Sequence, residues 1–580
     1  MNITMQGGII INRHLSYLDV MDTLLGPLPT RRQMNRIPRI PGQVKVKIRV
    51  ERTMPFEFIS NVISPFIRLW DAEESFELSP YDTSLSSIGG DAGADVFILW
   101  LDWRLYRKSM AVKATCDWLK ERIVTLRSKT DKPIFVNNWP EQYEPEDMLF
   151  SAKTGKRIWV RLFNETLNRL SEEVPDCWII DLSYISLEHS GAFFDDRNEK
   201  VSNHPFSDQA TISIARHLGV RLLPAVLLSR IKAIALDLDD TLYAGVLGED
   251  GIDGVALSDA HIRLQNLLLR LKQSGLMLTI CSRNEEKDVR ELFQKRTDFP
   301  LNWDDFAAVC ADWNPKPDNL IALSHKLNID PSAMLFVDDN PAELLKMAHH
   351  VPAVRLLRAD PAGEQTLIKI SNYPGCYQLI QDDSAALRTV DIQANHTRTK
   401  LKNQALDYIS YLKNLKMVVR IHVNEPAHIN RVFELSHRTN QFNLALRRMS
   451  YAEVKRAMNG NDYLTMTVQL SDKLSDSGII GAFVCRMDQE KATLIEVLFS
   501  CRALGRDIET IAFVCLLKRL TELGIKQLSI VVQEGPRNTP AREWLQQFVI
   551  DPVADQSVTD LLALASVSCA RHPVKVEEIT

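Results

Sequence analysis

Two carboxylates one residue apart, at the end of an apolar run, pose the first chemical question. In IALDLDDTLYAGVLGED, from Ile234 to Asp250, the apolar stretch ends in Asp237, and Asp239, Asp240 and Thr241 follow at once. Carboxylates crowded where a buried strand ends are costly unless a cation sits between them. A divalent metal holding a phosphate is the obvious candidate. Asp237 can attack a phosphoryl group and form an aspartyl phosphate. Asp239 can give a proton to the leaving group and later take one from water. Ser282, at the end of LTICS, offers a hydroxyl to phosphate oxygens. Lys316, in ADWNPKPDN, supplies positive charge to a nucleophilic carboxylate and a phosphoryl oxygen. LFVDDN closes another apolar run with Asp338 and Asp339, hard oxygen ligands that suit Mg2+. DLDDT by itself reads equally well as a solvated turn or a helix cap. All four pieces in this order, three directly after apolar runs, outweigh that reading.

Such side chains need a sheet whose strand ends converge. IKAIALDLD, LMLTICSRN, FAAVCAD and AMLFVDDNP are expected strands, with helices over Asp259–Ser274, Glu285–Lys295 and Asp318–Leu327. Alternation of this kind predicts a parallel α/β sheet, which binds ligands at its carboxyl ends. Only Tyr243 to Ser258 separates the first motif from the next helix, too little for a large cap. The site should therefore stay open to a bulky or protein-borne substrate.

Upstream, ADVFILWLDWRL, KPIFVNNW and CWIIDLS read as buried strands around a helix over Ser109–Ser128, a second α/β pattern. Downstream, MVVRIHV, YLTMTVQLSD, IIGAFVCRM and ATLIEVLFSCRA are short strands before a helix over Arg506–Leu523 and a strand QLSIVVQE, an α+β pattern. The expected division is 1–228, 229–375, a helical connector 376–414 and 415–580, since 580 residues exceed one hydrophobic core.

A net charge of −5 with both signs abundant excludes a nucleic-acid or membrane-surface field. No apolar stretch of spanning length is expected, and the start lacks the basic flank and apolar region of a signal peptide. Nine cysteines without a CxxC pair fit a reducing compartment and argue against structural zinc. The expected location is the cytoplasm.

DxDxT, then a strand ending in Ser, then Lys, then a strand ending in DD, resembles the haloacid dehalogenase (HAD) superfamily. That resemblance implies a Rossmann-like domain and an Mg2+-dependent phosphatase or phosphotransferase. It makes Asp237 the nucleophile, Asp239 the acid/base, Thr241 and Ser282 phosphate contacts and Lys316 the charge anchor. It gives the metal to Asp237, the Asp239 carbonyl and Asp338, with Asp339 as a further candidate. DLDDTLYAGVLGEDG, ICSRNEE, ADWNPKPDNL and LFVDDNPAE are similar to the FkbH-type subfamily, whose first motif commonly reads DLDNTLWGGVxGEDG and whose second ends in CSKN. Here Asp240 replaces Asn, Tyr243 replaces Trp and Arg283 replaces Lys.

The FkbH-type resemblance implies a phosphorylated three-carbon acyl donor, 1,3-bisphosphoglycerate-like, that is dephosphorylated while its glyceryl group passes to an acyl carrier protein. Cys281 is then the natural acyl acceptor, its thiolate forming a thioester; as a small buried packing residue it reads equally well. A HAD phosphatase for a small phosphorylated metabolite and a non-catalytic carrier-binding scaffold are the alternatives. A polyketide route and a polysaccharide route stay open.

FkbH-type proteins often carry an SGNH-hydrolase-like N-terminal domain. FEFISNVISPF offers Ser60 at a possible strand end and VSNHPFS offers His204, but Val201 stands where that family has Asp and no GDS is present. A degenerate, non-hydrolytic domain is expected. The C-terminal unit resembles a GNAT acyltransferase in HRTNQFNLALRRMS, DSGIIGAF, FSCRALGRDIE and NTPAREWL. Its Arg502, Gly505, Arg506 and Asn538 are candidates for binding an acyl-CoA or a phosphopantetheine phosphate at a helix start. The alternative is that the arginines only make surface ion pairs.

Overall fold

Short apolar runs, most of them followed by a helix, assemble into parallel sheets in the computed structural model of the chain. It describes residues 17–579, apart from 39–40, 83, 86–87, 89–92, 142–155, 229, 380–390, 392–393, 395–396, 399–400, 403, 405–406, 440, 501–503, 536–537, 550, 552–553 and 571. Contacts divide the chain into two units: Asp19–Leu228 with Ile368–Leu379, and one built on Ser229–Leu367 and Ile380–Thr580.

The first unit holds β1 (Val44–Arg52), β2 (Ala72–Tyr81), β3 (Val96–Trp100), β4 (Ile134–Asn137) and β5 (Cys177–Ile180). They pair in the order β2-β1-β3-β4-β5, all parallel. Every residue of β3 and β4 is buried, as strands covered on both faces require. Ser60 is not at a strand end. It lies inside the helix Glu57–Arg68, where Ile59, Val62, Ile63, Phe66 and Ile67 recur at helical spacing and are buried. A further correction concerns Asp208–Leu227. Within this 20-residue helical run an 18-residue window has a mean hydropathy of 1.2, long and apolar enough by length and composition to cross a membrane, but 72% of that window is buried in the protein.

The second unit holds two sheets. β6 (Ala233–Leu236), β7 (Met277–Ser282), β8 (Phe306–Ala311), β9 (Met334–Asp338) and β10 (Arg355–Arg358) run parallel in the order β10-β9-β6-β7-β8. The chain moves to one side of β6 to make β7 and β8, then to the other for β9 and β10. The crevice of such a sheet opens at the carboxyl ends of β6 and β9. β10 has no counterpart in the sequence reading, because RLLR is short and flanked by charge.

The other sheet is mixed. β11 (Val418–Val423), β12 (Tyr463–Ser471), β13 (Asp476–Asp488), β14 (Lys491–Phe499), β15 (Gln527–Ile530), β16 (Gln556–Ser557) and β17 (Lys575–Ile579) pair in the order β16-β15-β14-β13-β12-β11-β17. β14–β15 and β11–β17 are its parallel pairs. The chain is thus an α/β multidomain protein with two parallel five-stranded sheets and one mixed sheet.

Glu496, within β14, is fully buried. One carboxylate oxygen accepts from the Val497 amide at 3.0 Å, and the Ala445 and Arg447 amides and the Arg448 charge also favour its ionised form. Burial pushes this carboxyl up to about 8 from its usual 4.5. The folded state therefore holds the proton that the unfolded chain gives up. The stability this contributes is complete below pH 4.5 and is lost as the pH rises through about 8, at up to about 1.4 kcal/mol per pH unit. Glu496→Gln should make the fall in melting temperature between roughly pH 5 and 9 shallower than in the wild type. Equal slopes in the two proteins would contradict this assignment.

Candidate functional site

Asp237 follows β6, Ser282 ends β7 and Asp338 ends β9, three neighbouring parallel strands. Lys316 opens the helix Lys316–Leu327, two residues earlier than expected, because Pro315 and Pro317 favour a helix start there. Ser282 Oγ donates to Asp237 Oδ1 at 2.6 Å. Lys316 Nζ reaches Asp237 Oδ2 at 2.7 Å and Asp338 Oδ2 at 2.6 Å. The Asn340 amide donates to the other oxygen of Asp338 at 2.8 Å. These short, charge-assisted contacts hold both carboxylates in one orientation.

Burial opposes the charge on Lys316, yet the carboxylates of Asp237 and Asp338 outweigh it and raise the ammonium above the usual lysine range. Asp338 is pushed up by burial and then by Asp237. Asp339 moves the same way, through burial first and Asp237 and Asp240 after it. Carboxylate oxygens of Asp237, Asp338 and Asp339 come within 4.8 Å of one another. Two of the three acids, Asp237 and Asp338, pair with Lys316, and all three offer hard oxygens. The set fits a divalent cation such as Mg2+.

Asp239 stands apart from that group. Its Oδ1 accepts from the Tyr243 hydroxyl at 2.8 Å and the Leu247 amide at 3.0 Å. Its Oδ2 accepts from Asn284 Nδ2 at 2.9 Å, and the same nitrogen lies 3.2 Å from Ser282 Oγ. Tyr243 and Asn284 thus position the acid/base candidate, and Asn284 links it to Ser282, which bonds the nucleophile candidate Asp237. Neither was singled out for this from sequence. The available signal was spacing: Asn284 stands two residues after Ser282, and Tyr243 four after Asp239.

The intervening loop is built from its own sequence. Asp240 takes a left-handed conformation at φ 49° and accepts from the Gly245 amide at 2.8 Å. Gly245 itself has φ 104°, and a Cβ there would lie 2.8 Å from an Asp250 oxygen. Asp250 in turn accepts from the Val246 amide at 2.8 Å. Ala244 and Ala256 bridge the loop, and Leu247–Gly254 within it is two short helical turns broken at Gly251, whose φ is 69°. Thr241 is fully buried, and its hydroxyl has no hydrogen-bond partner.

Cys281 points away from this group into the core. It is fully buried among Ala233, Met277, Leu320 and Phe336, with Sγ 3.6 Å from the Lys316 carbonyl. Burial pushes its thiol well above the usual range, which disfavours the thiolate.

The other candidates take structural partners. Ser60 Oγ donates to the Glu57 carbonyl at 3.0 Å. His204 bonds to Thr211 at 2.8 Å and stacks on Phe58, and burial pushes it down to about 4. Val201, where the hydrolase family has Asp, is 82% exposed. Arg506 is buried and pairs with Asp472 at 3.2 Å, while the Gly505 carbonyl accepts from Tyr408 at 3.0 Å. Asn538 accepts from the Gly535 amide and donates to the carbonyls of Asn443 and Gln533. Arg502 lies outside the described residues.

No family model and no curated protein matches this chain. Among solved structures it is similar to the N-terminal part of the protein BF1531 from Bacteroides fragilis, which contains a phosphatase domain and is complexed with Mg. The two are 22% identical over 58% of this chain and 95% of that one, with a TM-score of 0.48. A HAD-like phosphatase from Mesorhizobium loti matches 25% of this chain and 87% of its own at 15% identity and a TM-score of 0.16. The ribosomal-protein-S18-alanine N-acetyltransferase from Escherichia coli matches 22% and 74% at 16% identity and a TM-score of 0.18. At these values the likenesses carry no chemistry, and the site stands on its own geometry.

Proposed function

We propose that the β6–β10 domain is an Mg2+-dependent, HAD-type phosphatase whose nucleophile is Asp237. The observation that supports this most is the Asp237 carboxylate gripped by Ser282 and Lys316, with two more acids beside it. An Asp237 oxygen attacks phosphorus, and the bond from phosphorus to the leaving oxygen breaks. Asp239 gives that oxygen a proton. A water molecule then attacks the aspartyl phosphate, its proton passes to Asp239, and phosphate leaves with Asp237 restored. Lys316 and Ser282 bind phosphoryl oxygens through both steps. Mg2+, held by Asp237, Asp338 and Asp339, would offset the negative charge of the phosphoryl group.

The finer reading follows the FkbH-type resemblance: the donor is 1,3-bisphosphoglycerate-like, and Asp237 takes the phosphoryl group of its phosphoester. A thiolate attacks the acyl carbon and expels the acyl phosphate as inorganic phosphate, so that the acyl group ends as a thioester on an acyl carrier protein. The burial of Cys281 favours the carrier's own thiol as acceptor. The open loop that stands in place of a cap suits a protein-borne partner, and the first unit then serves as a binding scaffold. Incubation with 1,3-bisphosphoglycerate, Mg2+ and a carrier protein tests both levels by phosphate release and intact mass. Phosphate release with a glyceryl mass on the carrier, retained in Cys281→Ala, is the expected result. Release without any acyl mass leaves a plain phosphatase. No Mg2+-dependent release from this donor or from a panel of phosphomonoesters sinks the phosphatase reading.

A further inference from the structure

β7 and β9 lie on either side of β6. Arg283 immediately follows β7, and Glu343 lies in the first turn of the helix Pro341–His350 that follows β9. Their ion pair therefore spans the carboxyl end of β6, where Asp237 stands. The pair is a loose one. Arg283 Nη1 is 3.5 Å from Glu343 Oε1, whereas a charge-assisted bond of this kind is commonly about 2.7–2.9 Å. Arg283 Nε and Glu343 Oε2 are both buried without a hydrogen-bond partner.

Glu343 also has a second cation, Lys346 at 2.8 Å. If Arg283 turns away, Glu343 is not left as an uncompensated buried charge, so exchange of its partner is cheap. The Arg283 side chain is 40% exposed and can swing. Its neighbours in the loop are already engaged: Asn284 by Asp239, and Glu285 by the Trp313 indole at 2.8 Å. A guanidinium at this mouth can receive a carboxylate or phosphate through two parallel N–H bonds, which an ammonium cannot.

We infer that Arg283 is a specificity-determining residue that leaves Glu343 to bind a second anionic group on the substrate, remote from the transferred phosphoryl group. This rests on the phosphoryl-transfer reading of Asp237. The substrate class is a small phosphorylated acid, or a bisphosphate, rather than a phosphorylated neutral alcohol. Glu343 holds the guanidinium over the site until that group arrives.

The test compares two probes that share a phosphoester and differ in a carboxylate, 3-phosphoglycerate and glycerol 3-phosphate, with Mg2+ present. Wild type should favour the carboxylated probe in kcat/KM by about tenfold or more. Arg283→Gln should bring the ratio towards one, chiefly through KM, and Arg283→Lys should restore part of it. Matching melting temperatures show that the variants fold. Release from both probes at a ratio unchanged by Arg283→Gln overturns the subsite and leaves the phosphatase standing. Release from neither overturns the phosphatase reading and the subsite with it.

Discussion

Asp237→Asn should lower Mg2+-dependent phosphate release by roughly 10^4-fold or more, because an amide cannot form the aspartyl phosphate of the proposed mechanism. The fold should survive. Asn keeps the shape of the side chain: its one oxygen can stay on Lys316, and the Ser282 hydroxyl can turn to accept from the new amide nitrogen. One negative charge leaves a group in which Asp338 and Asp339 are already driven towards protonation. The melting temperature should therefore hold or rise while activity disappears. Circular dichroism and a phosphate-release assay on the same preparation check both halves. Unchanged release would remove Asp237 from the mechanism.

Lys316→Met should cost both activity and stability. Lys316 is 4% exposed and is the ammonium shared by Asp237 and Asp338. Its removal leaves buried carboxylates uncompensated, a loss of about 3–5 kcal/mol for a broken buried pair. The side chain's apolar length is kept by Met, so a fall in melting temperature reads out charge and not volume. Mg2+ should recover more of that fall than it adds to wild type, because the same acids then bind the cation more tightly. A variant as stable as wild type without Mg2+ would show that the acids are neutral in the folded protein.

How far these residues were legible depends on how each is held. Asp237, Ser282 and Asp338 terminate β6, β7 and β9, and an apolar run breaking into a polar group is visible in one dimension. Lys316 was legible by its order in the chain, although its position at a helix start was not. The parallel character of both α/β sheets followed from the alternation of elements. Ser60 misled because FEFIS is apolar enough for a strand, and only the continuing spacing to Phe66 and Ile67 marks a helix. Arg506 and Asn538 were chosen from a local pattern, but their partners Asp472 and Asn443 are 34 and 95 residues away. Tyr243 and Asn284 act through a third residue, and such indirect contacts have no signature until the loop is closed.

The two carboxylates of the first motif are held by mechanically different parts of the protein. Asp237 takes its partners from a strand end and a helix start, Ser282 and Lys316. Asp239 is held on one side by Tyr243 and Leu247, both in the loop from Tyr243 to Ser258. Local opening of that loop costs less than unfolding the sheet. It would free the carboxylate proposed as proton donor while the proposed nucleophile stayed in register, so attack on phosphorus and protonation of the leaving group would be uncoupled without breaking the domain.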